Sequence, residues 1–224
     1  HEACRRLGAF MTEAWPCWLD DALAALEGAD LRRQRAALVP VDAVRVRLDG
    51  VPLTLFSGND YLGLSHHPEV RRSVAEVAQV HGMGPRGSSL ICGHTEAHAA
   101  LERELAQLKG CEAALLTPSG FAANLAVLGA LAGDDVAIFS DALNHASIVD
   151  GCRLAVRSGA SLNVYRHADL THLESLLASS TESRRVIVSD GVFSMDGDVA
   201  PIAGLVSLKE RYGALLVVDD AHGT

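Results

Sequence analysis

The chain has 224 residues, 49% of them hydrophobic, a formal charge of -9 and a pI near 5.5. That is enough apolar material for one large domain or a domain with a small appendage. The acidic balance argues against nucleic acid or an anionic membrane as a partner, and no apolar run approaches a bilayer span, so a soluble protein is expected.

The five cysteines, Cys4, Cys17, Cys92, Cys111 and Cys152, are odd in number and lack C-x-x-C spacing. A reducing compartment without a zinc site is the expectation. His1 is not an initiator methionine and the opening residues form no signal-peptide core, which leaves a processed terminus and a fragment edge both open. Only two of the 19 basic residues are lysines, Lys109 and Lys209, each in or at the end of a surface helix.

Taken in order, residues 15–37 read as an amphipathic helix with Leu19, Leu23 and Leu26 on its stripe, acids early and arginines late. Pro40 closes it. Strands are expected over 43–48 and 52–56, joined by Asp49-Gly50, a strong hairpin signal. A helix starts near Pro68. Residues 82–93, GMGPRGSSLICG, have irregular backbone. Thr95 with Glu96 caps a helix whose Leu101, Leu105 and Leu108 share a face. From there strands alternate with helices: 112–117 then 119–131, 136–140 then 145–157, 162–165 then 169–179, 186–189 then 201–212. The last strand is the apolar run 214–218, which reads as buried on both faces. This rhythm predicts an α/β fold with a mostly parallel, doubly wound sheet. The division expected is an N-terminal helix and hairpin segment over 1–58 and a large domain over 59–224.

Ligands in such sheets sit at the carboxyl ends of strands. Ser119, Gly120 and Phe121 follow a strand and open a helix, which suits a phosphate; an ordinary serine cap explains them equally. His145 in DALNHAS sits at the next strand end and can stack on a planar ligand or lie on the surface. Ser194 in SDGVFSMDGD has no role that its segment alone dictates. Asp219 and His222 are the sharpest pair, because a carboxylate at a buried strand end needs a partner. A pyridinium nitrogen is one such partner. A capped loop, an arginine pair, or a metal site with Asp220 are the others, the last lacking further ligands.

Together, NDYLGLSHHP, SGFAAN, NHAS, GVFSMDGD and VDDAHGT, in this order and spacing, resemble the α-oxoamine synthases over about residues 31–224. These are pyridoxal 5'-phosphate (PLP) enzymes of fold type I. The resemblance implies a PLP-binding large domain and a small C-terminal domain that this chain lacks. It implies that Asp219 pairs with the pyridine nitrogen, that His222 and Ser194 lie near the phenolic oxygen, and that His145 stacks on the ring. Ser119, Gly120 and Phe121 would hold the phosphate. Arg32 would meet the substrate carboxylate, with Asn59 and Tyr61 at the substrate entrance; no metal is implied.

The implied reaction is a decarboxylative condensation of a small amino acid with an acyl-CoA or acyl-carrier thioester. On the same five motifs the chain most resembles the branch that joins L-alanine to a pimeloyl thioester in biotin synthesis, and two departures, the 82–93 segment and Asp190 where many members have Glu, look plant-like. Alternatives are glycine C-acetyltransferase, 5-aminolevulinate synthase, serine palmitoyltransferase, or a non-catalytic partner subunit. A homodimer in the cytoplasm or peroxisome is implied. The family's Schiff-base lysine falls beyond DDAHGT, where this chain has no residue. The 224 residues alone are therefore expected not to anchor the cofactor covalently, with neither Lys109 nor Lys209 as a substitute.

Overall fold

The computed structural model describes residues 14–224, with side chains from Trp18 onward. Cys4 and the side chain of Cys17 lie outside the described residues. The chain divides into two compact units, His1–Gly82 and Met83–Thr224.

The first unit opens with α1 (Ala14–Gly28), which stops nine residues short of the expected end at residue 37. The stop is a Schellman motif. Asp30 takes φ 54°, Leu31 N–H donates to Leu26 O at 2.9 Å, and Asp30 N–H donates to Glu27 O at 3.1 Å. Asparagine and aspartate tolerate the left-handed region better than other side chains, and no glycine was needed to signal the end. A meander of β1 (Leu38–Pro40), β2 (Arg45–Leu48) and β3 (Val51–Thr54) follows. β1 was not expected; Pro40 ends it opposite Val46 rather than closing a helix. Asp49 and Gly50 form the β2–β3 turn with φ of 51° and 82°, the double left-handed geometry of a type I′ turn. Gly50→Ala is expected to weaken this turn by about 1–2 kcal/mol, read as faster hydrogen exchange at the paired amides of β2 and β3. Helix α2 (Pro68–His81) starts on its proline as expected.

The second unit begins in the glycine-rich segment, where Ser89–Gly93 makes a single π-turn. Gly93 N–H donates to Ser88 O at 2.8 Å, and a Cβ on Gly93 would stand 1.9 Å from Gly87 O, so only glycine closes this loop. Helix α3 (Glu96–Lys109) is capped by Thr95, whose hydroxyl meets His98 Nδ1 at 2.7 Å. Its Leu101 and Leu108 are exposed. Residues 112–117, expected as a strand, form none. A strand needs a neighbour to take its amides, and here the Leu116 N–H donates to the Glu102 carboxylate at 3.0 Å instead.

The remaining elements alternate as predicted: α4 (Gly120–Leu131), β4 (Val136–Asp141), α5 (Ala146–Arg157), β5 (Ser161–Tyr165), α6 (Leu170–Ser179), β6 (Arg184–Asp190), α7 (Ile202–Tyr212) and β7 (Leu215–Asp219). The four strands form one parallel sheet in the order β5-β4-β6-β7. Strand alternation divides the core in two. Val136, Ile138, Val186 and Val188 pack with Leu128, Ile148, Cys152 and Ala155 of α4 and α5. Ala137, Phe139 and Ile187 pack with Leu173, Leu177, Leu205 and Leu208 of α6 and α7. The sheet is thus covered on both faces, as its near-continuous apolar strands require.

β7 departs from expectation. Its Leu216 packs on one core and its Val217 on the other, but among the described residues it pairs with β6 alone, leaving Leu215 47% and Val218 37% exposed. An edge strand with two apolar faces has the same composition as a central one. No described helix is long and apolar enough to cross a membrane.

Candidate active site

From β4 the chain steps one way to β5 and then back past β4 to β6 and β7. The strand order therefore reverses between β4 and β6, and the crevice outside the carboxyl ends of strands at such a point is where open α/β sheets bind ligands. A pocket opens there, lined by Gly120, Phe121, His145, Ser147, Asp190, Ser194, Asp219, Ala221 and His222. Six of the residues singled out in the sequence are gathered in it: Gly120, Phe121, His145, Ser194, Asp219 and His222. Ser119 stands behind the first two as the cap of α4. Arg32, Asn59 and Tyr61 belong to the first unit, where Arg32 is ion-paired with Glu27 and Asn59 and Tyr61 are exposed.

Asp219 ends β7 half-buried. Its Oδ1 accepts from Ala221 N–H at 3.0 Å and its Oδ2 from Asn124 Nδ2 at 2.7 Å. A carboxylate has about four lone-pair sites, so two bonds orient it and leave capacity for a donor in the pocket. Asn124 also donates to Ser147 Oγ at 2.8 Å, and that hydroxyl lies 2.6 Å from His145 Nδ1. One amide on α4 therefore aligns both the carboxylate and the imidazole.

The start of α4 lines the same pocket. Ser119 Oγ accepts from Ala122 N–H at 3.1 Å and Ser119 O from Ala123 N–H at 3.0 Å. The first-turn amides left over belong to Gly120 and Phe121, and both residues line the pocket. A Cβ on Gly120 would meet nothing within 4 Å, so the approach to these amides is open. The helix end offers directed donors and a partial positive charge.

His145 caps α5, its Nδ1 accepting from Ser147 N–H at 3.2 Å and its own N–H donating to Asp190 Oδ2 at 2.9 Å. The loop is fixed by Asn144, which donates to Ser140 Oγ and Val188 O, each at 2.9 Å, and accepts from Asp190 N–H at 2.8 Å. Such closure is what a buried amide demands. Burial pushes the Asp190 carboxyl above the ordinary carboxylate range and the charge of Asp219 adds to it, while the His145 amide opposes.

Sequence reasoning missed Asn124, Ser147 and Asn144 as builders of the site, though each lies inside a motif it quoted. The one available signal was an amide in an otherwise apolar helix. It also placed Lys109 only on a surface helix. Lys109 Nζ donates to Asp220 Oδ2 at 2.8 Å and to Thr224 Oγ1, tying the end of α3 to the segment after Asp219. Neither Lys109 nor Lys209 lines the pocket. Among the described residues no group of three His, Cys, Asp or Glu side chains is gathered to hold a metal ion.

A covered parallel sheet, a switch-point crevice, a helix start for an anion and an oriented carboxylate in the same pocket are the features of PLP-dependent fold type I. Residues 51–224 match the model of the aminotransferase class I and II family, and the chain belongs to that family. It is 54% identical over 187 residues to an 8-amino-7-oxononanoate synthase of Arabidopsis thaliana, covering 77% of this chain and 39% of that protein. It is 52% identical over 209 residues to the enzyme so named in Bordetella petrii, covering 92% and 52%. A serine palmitoyltransferase of S. paucimobilis with bound PLP superposes with a TM-score of 0.80 at 26% identity, over 89% of this chain and 50% of that one. The chain spans about half the length of these relatives or less.

Proposed function

We propose that this protein carries out the decarboxylative condensation of L-alanine with a pimeloyl thioester, on coenzyme A or a carrier protein, to 8-amino-7-oxononanoate, a step of biotin synthesis. The observation that carries the reading is Asp219, oriented by Asn124 and Ala221 in the same pocket as the first turn of α4. This donor set fits PLP, which presents a phosphate at one end and a protonatable ring nitrogen at the other. The amides of Gly120 and Phe121, capped behind by Ser119, take the phosphate. Asp219 would accept from the ring nitrogen and keep it protonated. His145 would stack on the ring, and Ser194 and His222 would serve its phenolic oxygen.

PLP supplies an electron sink when bound; the protein's part is to orient it and hold its protons. By the family resemblance, Arg32 is assigned to the substrate carboxylate and Asn59 and Tyr61 to substrate entry. The active protein is a homodimer, in a reducing compartment of the cytoplasm or peroxisome that suits the free thiols of Cys92 and Cys111. Identities of 54% and 52% to proteins named 8-amino-7-oxononanoate synthase favour this branch of the family.

The test is a substrate panel on the full-length protein: PLP and pimeloyl-CoA with L-alanine, glycine or L-serine, followed by free thiol and product mass. Product from alanine is expected; product from glycine or serine instead would assign another α-oxoamine synthase. Borohydride reduction with PLP followed by peptide mapping is expected to leave Lys109 and Lys209 unmodified, and an adduct on either would overturn that assignment.

A further inference from the structure

His167 is outside the pocket, yet it joins the end of β5 to the ends of β4 and β6, which lead into the pocket. It follows β5. Its Nδ1 lies 2.9 Å from Asp141 Oδ1, at the end of β4, and its Nε2 lies 2.7 Å from Asp198 Oδ2, in the loop after β6. Its ring meets Phe193 edge-on, centroids 4.5 Å apart at 89°. Phe193 and Asp198 are the two stems of one turn: Phe193 N–H donates to Asp198 O at 2.9 Å, and Gly197 N–H to Phe193 O at 2.8 Å. Ser194, which lines the pocket, is the next residue on that turn.

Neutral imidazole has one donor and one acceptor nitrogen, and both partners here are carboxylates. Only the imidazolium satisfies the two at once. The backbone holds this arrangement under strain: Ala168 sits at φ 52°, kept there by its N–H donating to Asp141 Oδ2 at 2.8 Å. Asp141 is fully buried, and its Oδ1 also accepts from Leu143 N–H. It is therefore a fixed post, and the half-buried Asp198 is the outer partner.

We propose that His167 is the positioning residue for Ser194. As an imidazolium bridging Asp141 and Asp198, it pins the 191–199 turn against the sheet and sets Ser194 at the cofactor pocket. The groups facing it are the Asp141 carboxylate from β4, the Asp198 carboxylate and Phe193 ring from the turn, and the Tyr165 phenol of β5 behind Asp141. Burial, with the Asp141 charge, pushes that phenol up, so it stays neutral. On its own segment Arg166 and Asp169 pair with each other. Asp141, first, and Asp198 raise the His167 pKa above its ordinary value against a smaller desolvation effect. The sign follows: the bridge is complete below the ordinary histidine pKa and is lost as pH rises through the raised one.

This inference rests on PLP as the occupant only in its last readout. In the full chain, nitrogen NMR of His167 is expected to show both ring nitrogens protonated above pH 6.5, where a free imidazole has lost its proton. Asp198→Asn is expected to bring that midpoint down toward the ordinary value. His167→Phe, which keeps a ring against Phe193, is expected to speed amide exchange at Phe193 and Gly197 roughly tenfold, leaving β4 amides unchanged. PLP affinity of the unsubstituted chain is expected to fall through the same pH window, and that of His167→Phe to be low and flat across it.

An ordinary His167 midpoint unmoved by Asp198→Asn overturns the proposal, as does unchanged exchange at the turn in His167→Phe. Failure of the unsubstituted chain to bind PLP, with the NMR and exchange results as expected, overturns the cofactor reading and leaves the bridge standing.

Discussion

Asp219→Asn is expected to weaken PLP binding by roughly 10- to 100-fold, the worth of one hydrogen bond to a charged group. The substitution keeps the shape of the side chain but removes one acceptor from both the protein and the ligand. An amide has one acceptor oxygen, and Ala221 N–H and Asn124 Nδ2 already compete for it. The amide nitrogen that replaces the other oxygen meets the Asn124 donor with a donor and gives a protonated ring nitrogen nothing to bond. Fluorescence titration with PLP measures the effect, and an unchanged Kd would show that Asp219 faces no cationic nitrogen. Asn124→Ala offers the graded comparison, because it leaves the carboxylate charged but loosely aimed.

The second large effect concerns the contact that carries Asn124. Leu128, one turn further along α4, is 1% exposed and packs into the core with Val136, Ile138, Ile148 and Cys152. Leu128→Ala is expected to destabilise the second unit by about 2–5 kcal/mol, from lost transfer energy and the residual cavity. Across from it Gly151 of α5 lets the two helices close. A Cβ there would stand 2.8 Å from Leu128 Cδ1 and 3.1 Å from Asn124 O. Gly151→Ala alone is therefore destabilising by overpacking, typically about 1–3 kcal/mol. In the double variant the terminal carbon that the alanine would strike is gone. The two costs are expected to sum to more than the measured loss, with a coupling of about 0.5–3 kcal/mol. Chemical denaturation of the four chains closes the cycle, and strict additivity would mean that the helices separate rather than repack.

The layered architecture was legible in the sequence because the strands of the second unit are short apolar runs and the helices between them carry their own stop and start residues. Ser119, Asp169 and Pro68 mark helix starts where the structure has them. What was illegible depended on neighbours. The end of α1 is set by an aspartate taking a conformation that is commoner for glycine. Residues 112–117 have a strand's composition without a strand's partner among the described residues, and composition does not record which neighbours a strand such as β7 has.

The same holds in the pocket. Asp219, His222 and His145 were visible as charged or aromatic groups at strand ends. Asn124 was not, since α4 is apolar almost all round and nothing in its pattern tells which side meets the sheet. His167, in a short polar connection between β5 and α6, has the look of solvent-facing loop; its two carboxylates lie 26 and 31 residues away along the chain.

The strict odd-even division of β4 makes that strand a ruler. Val136 and Ile138 face one helical layer, Ala137 and Phe139 the other, and the count ends on Ser140 and Asp141, which bond Asn144 and His167. Removing one residue from its middle would exchange the two sets of side chains between layers and move both polar residues off their partners. Loops elsewhere in the chain can lengthen at little cost, but β4 tolerates substitution by like residues and no change of length. Insertions and deletions that survive in variants of this protein should map outside residues 136–141.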